Sequence, residues 1–283
     1  MGAIRNWVGS PSKLGELAAK FGELRSKLGE LVPKLGDLKS KLGELVDTAT
    51  LQRYLIAFNV LWGGLGDFGI RADGVRDDDG IDGPRTREAF AAFRRMRGGS
   101  AGTDELRASV AETPADASLG LRALAFALRE WCAGVKEEPP GSNTGPRIRE
   151  YLAHCVRDGK PLRLASGEWC AASASWCASQ ARREGERLPH EYRAAGIELQ
   201  RDLERAGAWR PVEAVRAGQY SPRPGDLVIL SRAGTWTRHV CRVVALRGAT
   251  LWTLGGNENN RWMLTPRKLA DADMLGVGAY TQP

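Results

Sequence analysis

The chain has few groups suited to acid-base or metal chemistry. Its 283 residues include three histidines, and its five cysteines form no Cys-x-x-Cys pair. An odd cysteine count without that spacing excludes a simple disulfide framework and a structural zinc site, and leaves at least one free thiol. No run of apolar residues approaches the roughly 18 needed to span a membrane. The stretch from Leu121 to Leu128 is broken by Arg122 and followed by Arg129. No transmembrane segment is therefore expected. Met1 to Pro11 lacks the apolar run of a secretory signal, so synthesis in the cytoplasm without a signal peptide is expected. Basic runs interleaved with aromatics are also missing, which gives no support to a nucleic-acid partner.

What is present is an ordinary globular composition, 42% hydrophobic, with a net charge of +7. A basic balance favours polyanions in general, among them nucleic acid, anionic lipid and the acidic polymers of bacterial walls. It selects none of them.

Residues 12–46 repeat every seven positions. Leu14, Phe21, Leu28, Leu35 and Leu42 share one heptad position, and Leu17, Leu24, Leu31, Leu38 and Leu45 another. Such a stripe packs in a coiled coil or bundle. Each repeat also carries a glycine, from Gly15 to Gly43, and together the five cost about 4 to 5 kcal/mol of helix stability. Pro33 interrupts the pattern further. This segment, 1–47, is expected to need a partner: itself, another copy, or a particle or secretion component.

From about residue 48 the pattern changes. Leu51, Leu55 and Phe58 have helical spacing, a Gly/Asp-rich stretch runs from Gly63 to Gly83, and Thr86 to Arg95 reads as a second helix. Leu51-Gln52, then Asp79-Gly80-Ile81-Asp82-Gly83-Pro84-Arg85-Thr86, then Phe90 or Phe93, resembles the peptidoglycan-binding module of wall hydrolases over residues 48–98. The acidic loop 73–82 fails the EF-hand pattern, because the twelfth position from Asp78 is Ala89, and reads as a solvated turn. Residues 99–118 are small and polar and read as a linker.

The remainder, 119–283, begins with helical runs at Leu119 to Trp131 and Pro146 to Cys155. It ends in strand-like runs at Asp226 to Leu230, His239 to Leu246 and Thr250 to Leu254. Helices followed by strands indicate an α+β fold. Cys170 stands after Gly167 and Glu168 and opens a run of small helix-compatible residues, so a helix N-terminus would favour its thiolate. Cys177, Cys132, Cys155 and Cys241 read as core thiols. Of the histidines, His190 lies in a charged stretch and reads as surface, and His154 falls within a helix. His239 starts a strand, which makes it the candidate base. Asn257, or Glu258 in its place, ends the next strand and can orient the imidazole.

Trp169-Cys170-Ala171, Pro224-Gly225-Asp226, Arg238-His239-Val240 and Leu254-Gly255-Gly256-Asn257 resemble the CHAP and NlpC-type peptidoglycan amidohydrolases. Upstream, Val135-Lys136-Glu137, Ser142-Asn143 and Pro146 to Leu152 fit the same CHAP-like subgroup. The resemblance implies a papain-like fold, attack by Cys170 on a wall amide as an amidase or endopeptidase, and peptidoglycan as partner. It needs no metal and no other cofactor, and it marks Trp169, Asn143 and Arg238 as substrate-binding residues. Arg238 departs from the family's usual glycine. An acyltransferase or deamidase on the same fold, or a non-catalytic wall-binding protein, are the competing expectations. Without a signal peptide, action at the wall implies release by a phage-type lysis system, injection, or assembly into a phage-like particle.

Overall fold

The computed structural model describes residues 20, 22, 23, 25, 27, 29, 47–232 and 235–280. The chain divides into two units, Met1–Val46 and Asp47–Pro283. In the first unit the described residues are helical, and Lys27 Nζ donates to Glu23 Oε1 at 2.8 Å, one turn apart. The heptad positions and Pro33 lie outside the described residues.

The second unit begins with helices α1 (Thr48–Trp62), α2 (Pro84–Met96) and α3 (Thr103–Ala111). Gln52 explains the first motif. Its buried amide Nε2 donates to Asp79 Oδ1, the Ile81 carbonyl and Thr86 Oγ1, while its Oε1 accepts from Gly80 N–H. One side chain thus ties α1, the acidic loop and α2 together. In that loop Asp73 pairs with Arg71, Asp77 with Arg85, Asp78 with Arg76, and Asp82 with Arg87. Each of these carboxylates therefore has a cationic partner from the chain.

Helix α3 stands where a linker was expected. Leu106 and Val110, four residues apart, are almost fully buried in the same core as Leu55 and Phe58, and Trp62 Nε1 donates to the Ser109 carbonyl at 2.9 Å. Burying two apolar side chains outweighs the weak local signal of the Gly/Ser-flanked segment.

Next come α4 (Leu119–Cys132), α5 (Pro146–Ala153), a two-stranded hairpin β1 (Val156–Arg157) and β2 (Lys160–Pro161), α6 (Cys170–Ala181) and α7 (Gly196–Arg205). The rest comprises β3 (Trp209–Pro211), α8 (Val212–Arg216), β4 (Leu227–Ser231), β5 (Arg238–Arg247), β6 (Thr250–Glu258), β7 (Arg261–Lys268) and β8 (Met274–Gly278). The six longer-range strands form one antiparallel sheet in the order β3-β8-β4-β5-β6-β7. This is the expected α+β class.

Alternation along β4 divides the sheet's residues between two cores. Leu227 and Ile229 pack with Ala171, Ala174 and Ala178 of α6, whereas Val228 and Leu230 pack with Val212 and Val215 of α8. Helix α6 is built of Ala and Ser at most positions, so it can lie close to both α4 and the sheet. Buried Arg242 fastens it there, donating through Nη2 to the Ala174 carbonyl at 2.6 Å and through Nη1 to the Gly225 carbonyl at 2.8 Å. Gly225 needs its glycine twice over. Its φ is +95°, and a Cβ would fall 2.0 Å from the Gly120 backbone. The following Asp226 is also buried. It accepts from Tyr220 Oη, Arg223 N–H and Tyr280 N–H, so Pro-Gly-Asp is a structural corner.

The first three helices are continuous with this body. Trp252 Nε1 on β6 donates to the Arg71 carbonyl at 2.8 Å, and Thr250 Oγ1 donates to the Ala72 carbonyl at 2.6 Å.

Candidate active site

Cys170 is the first residue of α6, and its thiol is buried with 2% exposure. No side chain caps this end of the helix, so its first backbone N–H groups and the positive end of the dipole lie beside the sulfur. His239 is the second residue of β5 and is buried next to it. Burial opposes ionisation of the thiol, but the hydrogen bond and charge of His239, a backbone contact from Val240 and the nearby Arg232 hold Cys170 below the ordinary thiol value. Burial likewise opposes the imidazolium, yet Cys170 and Glu258 raise His239 from 6.5 to about 9. Both shifts favour a thiolate–imidazolium pair.

The side chain hydrogen-bonded to His239 is that of Glu258, and Asn257 bonds elsewhere. His239 Nε2 lies 3.2 Å from Glu258 Oε1, which also accepts from Arg267 Nη2 at 3.1 Å, while Oε2 accepts from Thr265 Oγ1 at 2.5 Å. Burial works against the carboxylate's charge, but His239, Arg267 and Thr265 keep it below the usual glutamate value. With Nε2 directed to Glu258, Nδ1 is the ring nitrogen left for the thiol.

Asn257 turns elsewhere because the β6–β7 ladder shifts register between Gly255 and Glu258, and Asn257 itself has φ +60°. Its Nδ2 donates to Asn143 Oδ1 at 3.1 Å.

Asn143 N–H in turn donates to Glu137 Oε2 at 3.0 Å, and Trp169 Nε1 donates to Glu137 Oε1, also at 3.0 Å. Glu137 is 1% exposed and so forms a buried bracket around the residue that precedes Cys170. Trp169 is fully buried, which corrects its expected place among substrate contacts. It packs against Tyr151 and Trp262 and holds the start of α6. Asn143 is half-buried, and Arg238 is half-buried with its carbonyl 3.9 Å from Cys170 Sγ.

The Gly255-Gly256 pair has a steric cause. A Cβ at Gly256 would lie 2.5 Å from both Ser173 Oγ and the Trp169 ring, and one at Gly255 would lie 2.4 Å from Glu258 Oε1. The end of β6 touches α6 almost backbone to side chain, which brings Glu258, His239 and Cys170 together.

No family model, curated protein or solved structure matches the chain.

Beside Cys170 is a hollow of about 110 Å3 whose lining includes Ala194, Ala195, Gly196, Ile197 and Trp236. Trp236 is 72% exposed. Sequence reasoning passed over it, although a tryptophan three residues before the candidate base was a usable signal. His190 corrects an expectation too. It is 5% exposed, its Nε2 meets Tyr280 Oη and its Nδ1 lies 2.7 Å from the Glu191 carbonyl, and burial pushes it down to about 4. The other four cysteines are buried, and burial raises each of their thiols.

Among the described residues one trio could offer metal ligands, His239, Cys241 and Glu258, whose ligand atoms lie within 4.8 Å of one another. Arg267 already occupies Glu258 Oε1, and a cation there would face that guanidinium. The donor set suits an internal charge network better than a metal.

Proposed function

We propose that the protein is a cysteine amidohydrolase acting on peptidoglycan, as an amidase or endopeptidase, on a papain-like CHAP/NlpC-type domain. The observation that carries this reading is the chain Cys170–His239–Glu258, with the thiol at the uncapped start of a helix. Cys170 attacks an amide carbonyl as the thiolate. His239, protonated in the resting pair, gives its proton to the leaving amine and then takes one from the water that resolves the thioester. Glu258 holds the imidazole through Nε2. The backbone N–H of Cys170 is the proposed oxyanion donor. Asn143 Nδ2 has no acceptor among the described residues and can meet the substrate, while its Oδ1 is held by Asn257.

The wall as substrate rests on the two motif resemblances, at residues 48–98 and 119–283, and on the net charge of +7, which suits an acidic polymer. Delivery by lysis, injection or a phage-like particle belongs to the same proposal.

Digestion of purified sacculi tests it. Wild-type protein is expected to release soluble fragments whose new amine and carboxyl ends, read by mass spectrometry, identify the bond. Undiminished release by Cys170→Ala protein would overturn the assignment.

A further inference from the structure

A second feature of the fold has no part in the proposed reaction. A cleft of about 350 Å3 opens where α1 and the acidic loop meet β7. Its lining includes Arg53, Arg76, Lys136 and Arg261, with Asp78 as the one carboxylate. Asp78 is already taken, because Arg76 Nε donates to its Oδ1 at 2.7 Å. Arg53, Lys136 and Arg261 form no ion pair and no side-chain hydrogen bond among the described residues. Lys136 and Arg261 are paired across an isolated antiparallel bridge, so the two cations start from neighbouring backbone positions.

Like charges gathered in a concave, partly dry space repel one another, and an anion relieves that repulsion. The cleft is also next to the candidate active site. Trp262, in its wall, contacts the Trp169 ring at 6.2 Å, Lys136 precedes Glu137, and Arg76 lies within electrostatic reach of Glu258. Its four cations come from four separate stretches of chain, which suits several oxyanions on one ligand. Trp131 and Trp262 are 3% and 4% exposed, so they offer no platform on which bases could stack.

We propose that this cleft binds the oxyanions, carboxylate or phosphate, of a short acidic oligomer. Peptide carboxylates and polymer phosphodiesters share this chemistry. Binding does not require hydrolysis, so it is measured in Cys170→Ala protein, where its failure is distinct from a failure of the hydrolase reading.

The full chain is titrated calorimetrically with triglutamate and with tripolyphosphate, before and after the double substitution Arg53→Gln and Arg261→Gln. At least one probe is expected to bind, to weaken about tenfold in the double variant, and to weaken with added salt. Binding of triglutamate alone assigns the site to peptide carboxylates, and of tripolyphosphate alone to phosphate oxyanions. Because the substituted arginines form no ion pair or side-chain hydrogen bond among the described residues, the double variant is expected to melt close to the wild-type temperature. Absence of binding by both probes, or equal affinity in the double variant, overturns the proposal. Tighter binding of a single-stranded oligonucleotide than of both probes would overturn the ligand class.

Discussion

Glu137 Oε1 accepts a hydrogen bond from the Trp169 indole at 3.0 Å, and through it a buried carboxylate 32 residues before Trp169 holds the residue next to Cys170. Glu137 touches no reacting atom, so it is a positioning residue. Replacing it by Ala leaves the Trp169 and Asn143 N–H donors without a charged acceptor, and each such hydrogen bond is worth about 1.5 to 3 kcal/mol. The Glu137→Ala protein is expected to melt lower and to alkylate Cys170 more slowly, with Glu137→Gln intermediate. An alkylation rate unchanged in both variants would show that the bracket does not position the thiol.

Cys170→Ala is expected to lower wall hydrolysis by about 10,000-fold or more while leaving the melting temperature nearly unchanged. Turbidity of a sacculus suspension checks the first outcome and thermal denaturation the second.

The His239 shift sets the alkaline limit. Its folded value, about 9, lies above the unfolded 6.5, so the stabilisation it contributes is complete below pH 6.5 and is lost as pH rises through about 9. Hydrolysis is expected to fall over the upper part of that range, as the imidazolium that protonates the leaving amine disappears. Glu258→Gln removes one of the groups that raise His239, so the alkaline limb should move to lower pH. A limb that stays in place in a pH–rate series would exclude Glu258 as the orienting residue.

Gly256→Ala places a methyl group 2.5 Å from Ser173 Oγ and the Trp169 ring. Overpacking of this kind costs about 1 to 3 kcal/mol, to be read from denaturant unfolding. Gly83→Ala, with open space around the new Cβ and φ −88°, should change stability by no more than about 0.5 kcal/mol.

Removing residues 1–46 ends the chain at the boundary between the two units. The shortened protein is expected to digest isolated walls at an undiminished rate and to lose whatever association the heptads provide. Inactive but folded truncated protein would show that the repeat takes part in hydrolysis.

How much of this was legible in the sequence follows from the range of the interactions. Strands β4, β5 and β6 and helices α4 and α6 announce themselves through their own periodicity, and the Cys170 and His239 pairing needed only their positions at element starts. Residues decided by distant partners were not legible. His190 sits among charged neighbours, yet Tyr280, 90 residues away, covers it. Helix α3 offers only two large apolar side chains, Leu106 and Val110, and what makes it a helix is the core supplied by α1. The choice between Asn257 and Glu258 was out of reach for a subtler reason. Strict alternation would put one of two adjacent side chains toward His239, and the register shift after Gly255 decides which.

The indole of Trp252 and the hydroxyl of Thr250 end on carbonyls of the acidic loop, and this bears on how such a protein can evolve. Segments joined to a body only by a linker can be exchanged without disturbing its core. Here a recombination point near residue 110 would take away the acceptors of two β6 donors and the partners of a buried core. The helices before α4 must therefore be inherited together with the sheet, and a chimera that retains the resemblance at 48–98 but swaps its body must rebuild that seam.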